Sequence, residues 1–425
     1  MSIKKYKKEV RIGVFGLRRG APLVRNMQKI KGVKVVAVCE KDDEIIEKVK
    51  PSLPEYTKIF HDFDEFIDSG MDAVVLANYF HEHAKYAMIA LEKKIHILSE
   101  TTAAPTLAEC VQLCRAVEKS KCKYMLAANA CWHKDAMALK KLYEDGTIGN
   151  VRFAEAEYLH PRETLPDGFN DKDKDSYTHW RKHLPRTYYN MHSLGVLMNI
   201  TGAMPKKVSG VAAFAPDYME SVSSPYVGDI TGLCLAEMDN GALFTTTGCA
   251  GLGPISKWFR VSGDKGNMEN VRFKRGTVRV DFMKYAVPDG DESKANYTFD
   301  APLADAYGIF TKKEVAYANL GEEDKKGHIG HIDFWICLYF IKYLRGEVEP
   351  FFNVYRSVAL SAAAILSWRS VLNGGVKYDI PDFTDKRGRR KYEKDFVSPF
   401  PKEDGSVDIP CSSKEYNLFK KYNID

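Results

Sequence analysis

Apolar and polar positions follow two rhythms along this chain, and the change falls near residue 130. Before it, short continuous apolar runs alternate with amphipathic stretches. "VRIGVFG", "VKVVAVCE", "AVVLAN", "IHIL" and "KYMLAAN" are rich in β-branched residues and lack polar alternation, as expected of strands covered on both faces. Between them lie a helix-period stretch ending near Ile30, then "DDEIIEKVK", "HEHAKYAMIALEKK" and "APTLAECVQLCRAVEKS". In the last, Leu107, Val111, Cys114 and Val117 recur at helical spacing. Pro105 marks its expected start, behind Thr102 or Ala104. Alternating strands and helices predict βαβ units and a parallel sheet.

After residue 130, "WHKDAMALKKLYEDGTIG" reads as a helix closed by a turn, and "VRFAEAEYLH" alternates as a strand does. From 207 to 285 come strand-like segments separated by turn signals such as Asp239-Asn240-Gly241 and Gly263-Asp264-Lys265-Gly266. They predict a predominantly antiparallel sheet. Helices are expected from Gly330 to Arg345 and from Tyr355 to Leu372, with "KYDIPDF" as a last strand. The expected fold class is α/β. A dinucleotide-binding domain would span 1–130, a second α/β domain with a large open, mostly antiparallel sheet 131–383, and a polar, basic extension 384–425.

Composition narrows the function classes. The chain has 425 residues, 45% hydrophobic and 28% charged, enough to bury a sizeable core. The net charge of +5 comes from 62 basic and 57 acidic residues that are intermingled, which argues against a nucleic-acid or membrane partner. The nine cysteines form no C-x-x-C and lie mostly in apolar runs, as reduced thiols of a cytoplasmic protein would. The run "IGVFGL" is too short for a signal peptide, and no apolar run is long enough for a transmembrane helix.

The first strand ends in Gly16-Leu17-Arg18-Arg19-Gly20-Ala21. A dinucleotide turn places glycine where the chain turns tightly, where backbone approaches pyrophosphate, and where helix meets strand. Gly16 and Ala21 fill the first and last places, Arg18 takes the middle one, and Gly20 partly compensates. The second strand ends at Glu40, where an acid would hold a ribose hydroxyl, although a solvated strand end would look the same. NAD is therefore expected rather than NADP.

With "NYFHEHAKYAMIAL", "HILSETTAAPTLAEC", "DGTIGNV", "VSGDKGNMEN", "GHIGHIDFW" and "IPDF", the chain resembles the Gfo/Idh/MocA oxidoreductases from about residue 9 to 383. The resemblance implies a Rossmann domain joined to an open-sheet domain, and a dimer or tetramer through the free sheet face. Ordinary members end the fourth strand in Glu-Lys-Pro, whose Lys helps move a hydroxyl proton. Here Glu100 stands and Thr101 replaces the Lys. Those members also carry an Asp four residues before a His. In "PRTYYNMHSLGVLMNITG", His192 matches the His and Tyr188 occupies the Asp position. "SETTAA", "TYYNMHSLG" and "GHIGHID" together are similar to the family 109 glycoside hydrolases, which hold NAD as a resident catalyst.

That branch implies transient oxidation of a sugar hydroxyl, elimination of the C1 substituent, water addition and re-reduction. Such chemistry needs a base that titrates near neutrality, and His192 is the candidate. Tyr189 would share its helical face, and Tyr188 is an equal candidate for a phenol relay. Expected cofactor contacts are Gly16, Arg18, Arg19, Gly20, Glu40, Asn78, His83, Glu100 and Thr101. Expected carbohydrate contacts are His160, Trp180, Arg181 and His328. His81 and His83 lack a third ligand at suitable spacing, so no metal is expected. Two alternatives stand beside the glycosidase: a plain NAD(P)-dependent sugar or polyol dehydrogenase, and a non-catalytic sugar or nucleotide sensor.

Overall fold

The computed structural model describes residues 9–160, 179–214, 229–250, 253–302, 330–402, 404–411 and 413, without the side chains of 249–250 and 330–331. Its first unit carries β1 (Val10–Phe15), α1 (Leu17–Gln28), β2 (Val33–Cys39), α2 (Asp43–Val49), β3 (Lys58–Phe60), α3 (Phe63–Ile67), β4 (Ala73–Leu76), α4 (His83–Glu92), β5 (His96–Ser99), α5 (Leu107–Ser120) and β6 (Tyr124–Leu126). The strands are all parallel, in the order β3-β2-β1-β4-β5-β6. This is a Rossmann sheet, and its order reverses between β1 and β4, where such folds bind their ligands. The unbroken apolar runs are explained by burial on both faces: Val14, Val74, Val75 and Leu98 are fully covered.

Two local features differ from expectation. Strand β3 is only "KIF", exposed to half-exposed at the sheet edge, so its sequence shows no apolar run. Helix α5 starts at Leu107, with Thr106 as its N-cap, rather than at Pro105 behind Thr102 or Ala104. Thr106 Oγ1 accepts from the Glu109 backbone N–H and donates to the Glu109 carboxylate at 2.6 Å, and this reciprocal cap fixes the start.

The second unit carries α6 (Lys134–Glu144), β7 (Val151–Leu159), α7 (Leu194–Thr201), β8 (Pro205–Ala213), β9 (Thr231–Met238), β10 (Leu243–Ala250), β11 (Ser256–Gly263), β12 (Gly266–Asn270), β13 (Thr277–Phe282), β14 (Asn296–Asp300) and β15 (Tyr378–Asp379). They form one sheet in the order β14-β13-β12-β11-β7-β10-β9-β8-β15. Among the described residues of this sheet, only β7 and β10 pair in parallel. Alternation along the strands divides the faces. Ala154, Ala156, Tyr158, Ala236, Phe259 and Val261 are buried, whereas Val211, Leu233, Leu235 and Leu243 are exposed.

The helices Gly330–Leu344 (α8) and Val354–Leu372 (α9) follow. Residues 1–132 and 308–358 make up the first compact unit, and 133–307 with 359–425 the second. Helix α8 packs on α1, and Leu126 donates its backbone N–H to Phe352 O at 3.1 Å. The first unit is therefore built from two stretches of chain.

Where it is described, the polar, basic extension from 384 packs within the second unit. Arg389 is buried and donates to Phe383 O, Arg369 pairs with Asp395, and Trp368 donates its indole N–H to Pro410 O. Phe400, Ile409 and Cys411 are buried as well. Its basic side chains thus decorate a packed strap. Eight cysteines have described side chains, and all are buried thiols that form no disulfide with one another. Among the described residues no helix is long and apolar enough to cross a membrane.

Candidate active site

In the first unit the β1–α1 turn depends on Gly16. Its φ of 86° lies in the left-handed region, and a Cβ there would meet Ala77 O at 2.5 Å. Gly20 lies against Val14, where a Cβ would come within 2.7 Å of a methyl group. Helix α1 then opens on Gly16, which has no side chain to cap it, and has no acidic residue in its first turn, so its positive N-terminus suits a phosphate.

Glu40 is buried rather than solvated. Its Oε2 accepts from the Leu17 N–H at 2.8 Å, and its Oε1 from the N–H groups of Lys41 and Asp42. A carboxylate offers about four acceptor positions, so one remains on Oε2 for a hydroxyl. Arg18 pairs with Asp42 at 3.0 Å on the same rim.

His83 opens α4 and is fully enclosed. Burial pulls its pKa down to about 4, against the opposing influence of the Thr102 and Asn78 backbone. The ring is therefore neutral. Nδ1 donates to Thr102 O at 3.0 Å, so Nε2 is a bare acceptor, buried and unpartnered. Asn78 and Thr101 are half-buried at the ends of β4 and β5. The glycine cradle, the N-terminus of α1 with Glu40 beside it, and the His83 Nε2 fit a dinucleotide.

Arg19, expected to contact the cofactor, also holds two buried carboxylates. Its guanidinium grips Asp333 of α8 with two hydrogen bonds of 2.8 and 2.6 Å, and its Nε lies 2.8 Å from Glu100 Oε1. Burial pulls its pKa down, but Glu100 and Asp333 outweigh that and hold it above its ordinary value. Glu100 is raised by burial and by Asp333, against Arg19 and the Thr101 backbone. A strand-end carboxylate without a neighbouring lysine thus obtains its cation from the opposite side of the Rossmann turn. Asp333, in the first turn of α8, is the third member.

In the second unit a 3-10 helix spans Arg186–His192. Three residues per turn bring Tyr189 and His192 onto one face, with ring centroids 5.8 Å apart. Tyr158 of β7 completes the cluster, 4.5 Å from His192 and stacked on Tyr189 at 6.3 Å. His160, two residues along the strand, meets Tyr158 edge-on at 5.8 Å. Tyr188, the other candidate phenol, packs in the core between Trp368 and Phe400 and is 1% exposed. Trp180 is buried, with the Arg181 guanidinium over its ring at 4.5 Å. His328 lies outside the described residues.

Sequence reasoning missed Tyr158. Its signal was present: in an alternating strand, position 158 shares a face with His160. His81 stacks with Tyr79, and among the described residues no group of three or more His, Cys, Asp or Glu side chains could hold a metal.

Residues 10–128 match the oxidoreductase family with an NAD-binding Rossmann fold, and residues 132–391 match the C-terminal domain of glycosyl hydrolase 109. A glycosyl hydrolase family 109 protein of Phocaeicola vulgatus is 25% identical over 414 residues, covering 88% of this chain and 94% of that protein. One from Shewanella pealeana is 22% identical, covering 88% and 85%. Among solved structures, levoglucosan dehydrogenase in complex with NADH and levoglucosan superposes with a TM-score of 0.67 at 16% identity, covering 88% of this chain and all of that one. The second match spans more than half of the chain, and the site geometry agrees with the first: the protein belongs to the glycosyl hydrolase 109 family and is an NAD-dependent enzyme.

Proposed function

We propose that this enzyme hydrolyses a small-molecule glycoside by oxidising one sugar hydroxyl, eliminating the C1 substituent, adding water and reducing the ketone back. The observation that carries this reading is the His192–Tyr158–Tyr189 cluster. It offers a proton acceptor and two phenols in a unit whose usual Asp position, now Tyr188, faces the core.

Bound NAD supplies reversible oxidation at one sugar carbon, so the cofactor ends each cycle in its starting redox state. Gly16, Glu40, Asn78, His83 and Thr101 would hold it. His192 accepts the hydroxyl proton as the carbon is oxidised and returns it on reduction, with Tyr189 and Tyr158 as relays. The ketone acidifies the neighbouring C–H, and loss of that proton expels the C1 substituent. Trp180, Arg181 and His160 are proposed to hold the carbohydrate. We also propose a homodimer or homotetramer, supported by exposed Val211, Leu233, Leu235 and Leu243 on the open sheet face.

The test uses purified protein without added cofactor and a panel of nitrophenyl glycosides, N-acetylated ones included. Nitrophenol release without accumulating NADH, lost in His192→Ala, is the expected result. Stoichiometric NADH that requires added NAD would make it a dehydrogenase instead. Silence in both channels with NAD bound would support the sensor.

A further inference from the structure

We infer that Lys257 is a positioning residue for the Tyr158 phenol, holding a positive charge beside it; this rests on the cluster being the proton-handling group. The antiparallel pairing of β7 with β11 sets Lys257 directly opposite Tyr158, so the two side chains rise from the same face. The ammonium lies 5.7 Å from the Tyr158 ring centroid. Strand β7 is pinned there by its other neighbour, since the Tyr158 N–H donates to Thr247 Oγ1 at 2.6 Å.

The ammonium's second contact indicates what it is for. Lys257 Nζ is 3.3 Å from Nε2 of His133, the residue just before α6. Burial, with the charges of Lys257 and Arg275, takes His133 down to about 3. The imidazole is therefore neutral, Nε2 accepts the ammonium's hydrogen bond, and the ring proton sits on Nδ1. The His133 ring aims the ammonium and, being neutral, does not itself cancel the charge.

Tyr158 faces His160 on its own strand, Tyr189 and His192 on the 3-10 helix, and Lys257 on β11. When the phenol passes its proton to His192, the O–H bond breaks, an imidazole N–H forms, and the phenolate is left beside a fixed cation. A unit charge 5.7 Å from the centre of the ring over which the phenolate charge spreads lowers the phenol pKa by about 1–2 units.

The test is carbon NMR of the full chain labelled at tyrosine Cζ, with Tyr158→Phe identifying the resonance. Lys257→Met should raise the Tyr158 pKa by about 1–2 units, and Lys257→Arg should keep it within about half a unit of wild type. Unmoved resonances of the other tyrosines verify the fold, with Lys257→Gln as a second neutral variant. No shift in a folded neutral variant overturns the assignment. The pH dependence of kcat/KM for nitrophenyl glycosides should move in the same direction as the phenol. A shift with a silent glycoside panel would sink the hydrolase reading while the charge coupling stood. Activity whose pH profile ignores Lys257 would sink the Lys257 assignment alone.

Discussion

Replacing Arg19 with methionine removes the cation shared by Glu100 and Asp333 and keeps most of the apolar stem. Asp333 is fully buried, the Glu100 side chain is 9% exposed, and Arg19 keeps 31% of its side chain in solvent. Charge-assisted hydrogen bonds are each worth about 1.5–3 kcal/mol, and stripping one partner from a buried pair costs about 3–5 kcal/mol. Partial exposure of the guanidinium screens the interaction and pulls the figure to the low end, about 3 kcal/mol at pH 7.5. Urea unfolding followed by fluorescence of Trp335, two residues from Asp333 on α8, measures it.

The pH dependence gives a second check. A carboxyl whose folded pKa lies above its unfolded value binds its proton more tightly when folded. It therefore favours folding as pH falls through the raised pKa and opposes folding above it. Glu100 is already raised with Arg19 present. Without Arg19 the rise is larger, so the deficit should be greatest near neutrality and shrink towards pH 5. Arg19→Lys keeps the charge but loses the two-pronged grip on Asp333, and should recover less than half. A pH-independent deficit below about 1 kcal/mol for Arg19→Met would refute the idea that buried carboxylates depend on this guanidinium.

His83→Leu should weaken NAD binding at least tenfold in calorimetry, because it removes the buried Nε2 acceptor. The depressed pKa of His83 also makes stability present above its unfolded value of about 6.5 and lost as pH falls towards about 4, roughly 3 kcal/mol in all. His83→Asn should flatten that acid limb in urea titrations between those values. Gly16→Ala must strain a left-handed backbone against Ala77 O, and should abolish NAD retention during gel filtration while costing about 1–3 kcal/mol of stability. Tyr189→Phe should lower kcat for glycosides at least tenfold, whereas Tyr188→Phe, in the core, should leave kcat within about twofold; equal losses would deny the separation of the two phenols. If the open sheet face is an assembly surface, Leu233→Lys with Leu235→Glu should yield a monomer by light scattering.

Much of the molecule is legible in its sequence because burial writes periodicity. Doubly covered strands leave apolar runs, singly covered ones leave alternation, and the turn at Gly16 leaves its glycine. Short edge strands such as Lys58–Phe60 bury too little to leave a pattern. The site was legible where one segment carries it, as with Tyr189 and His192, whose spacing matches a 3-10 turn. It was illegible where distant segments meet. Nothing local to Arg19 announces Asp333, and nothing local to Tyr158 announces Lys257, since both contacts depend on tertiary pairing. Tyr188 and Tyr189 are chemically identical neighbours, and only core packing sends them opposite ways.

The grip of Arg19 on Asp333 closes a span of 314 residues. At about 5–20 residues per second, a ribosome needs roughly 15–60 seconds to deliver the second partner after the first. Throughout that time the nascent Rossmann half holds Glu100 and Arg19 but lacks α8, and the face of α1 that will receive it stays open to other chains. A fragment ending near residue 132 would carry that same exposed face permanently. The nucleotide half is encoded first but completed late, and helper proteins that shield nascent chains should engage it until α8 emerges.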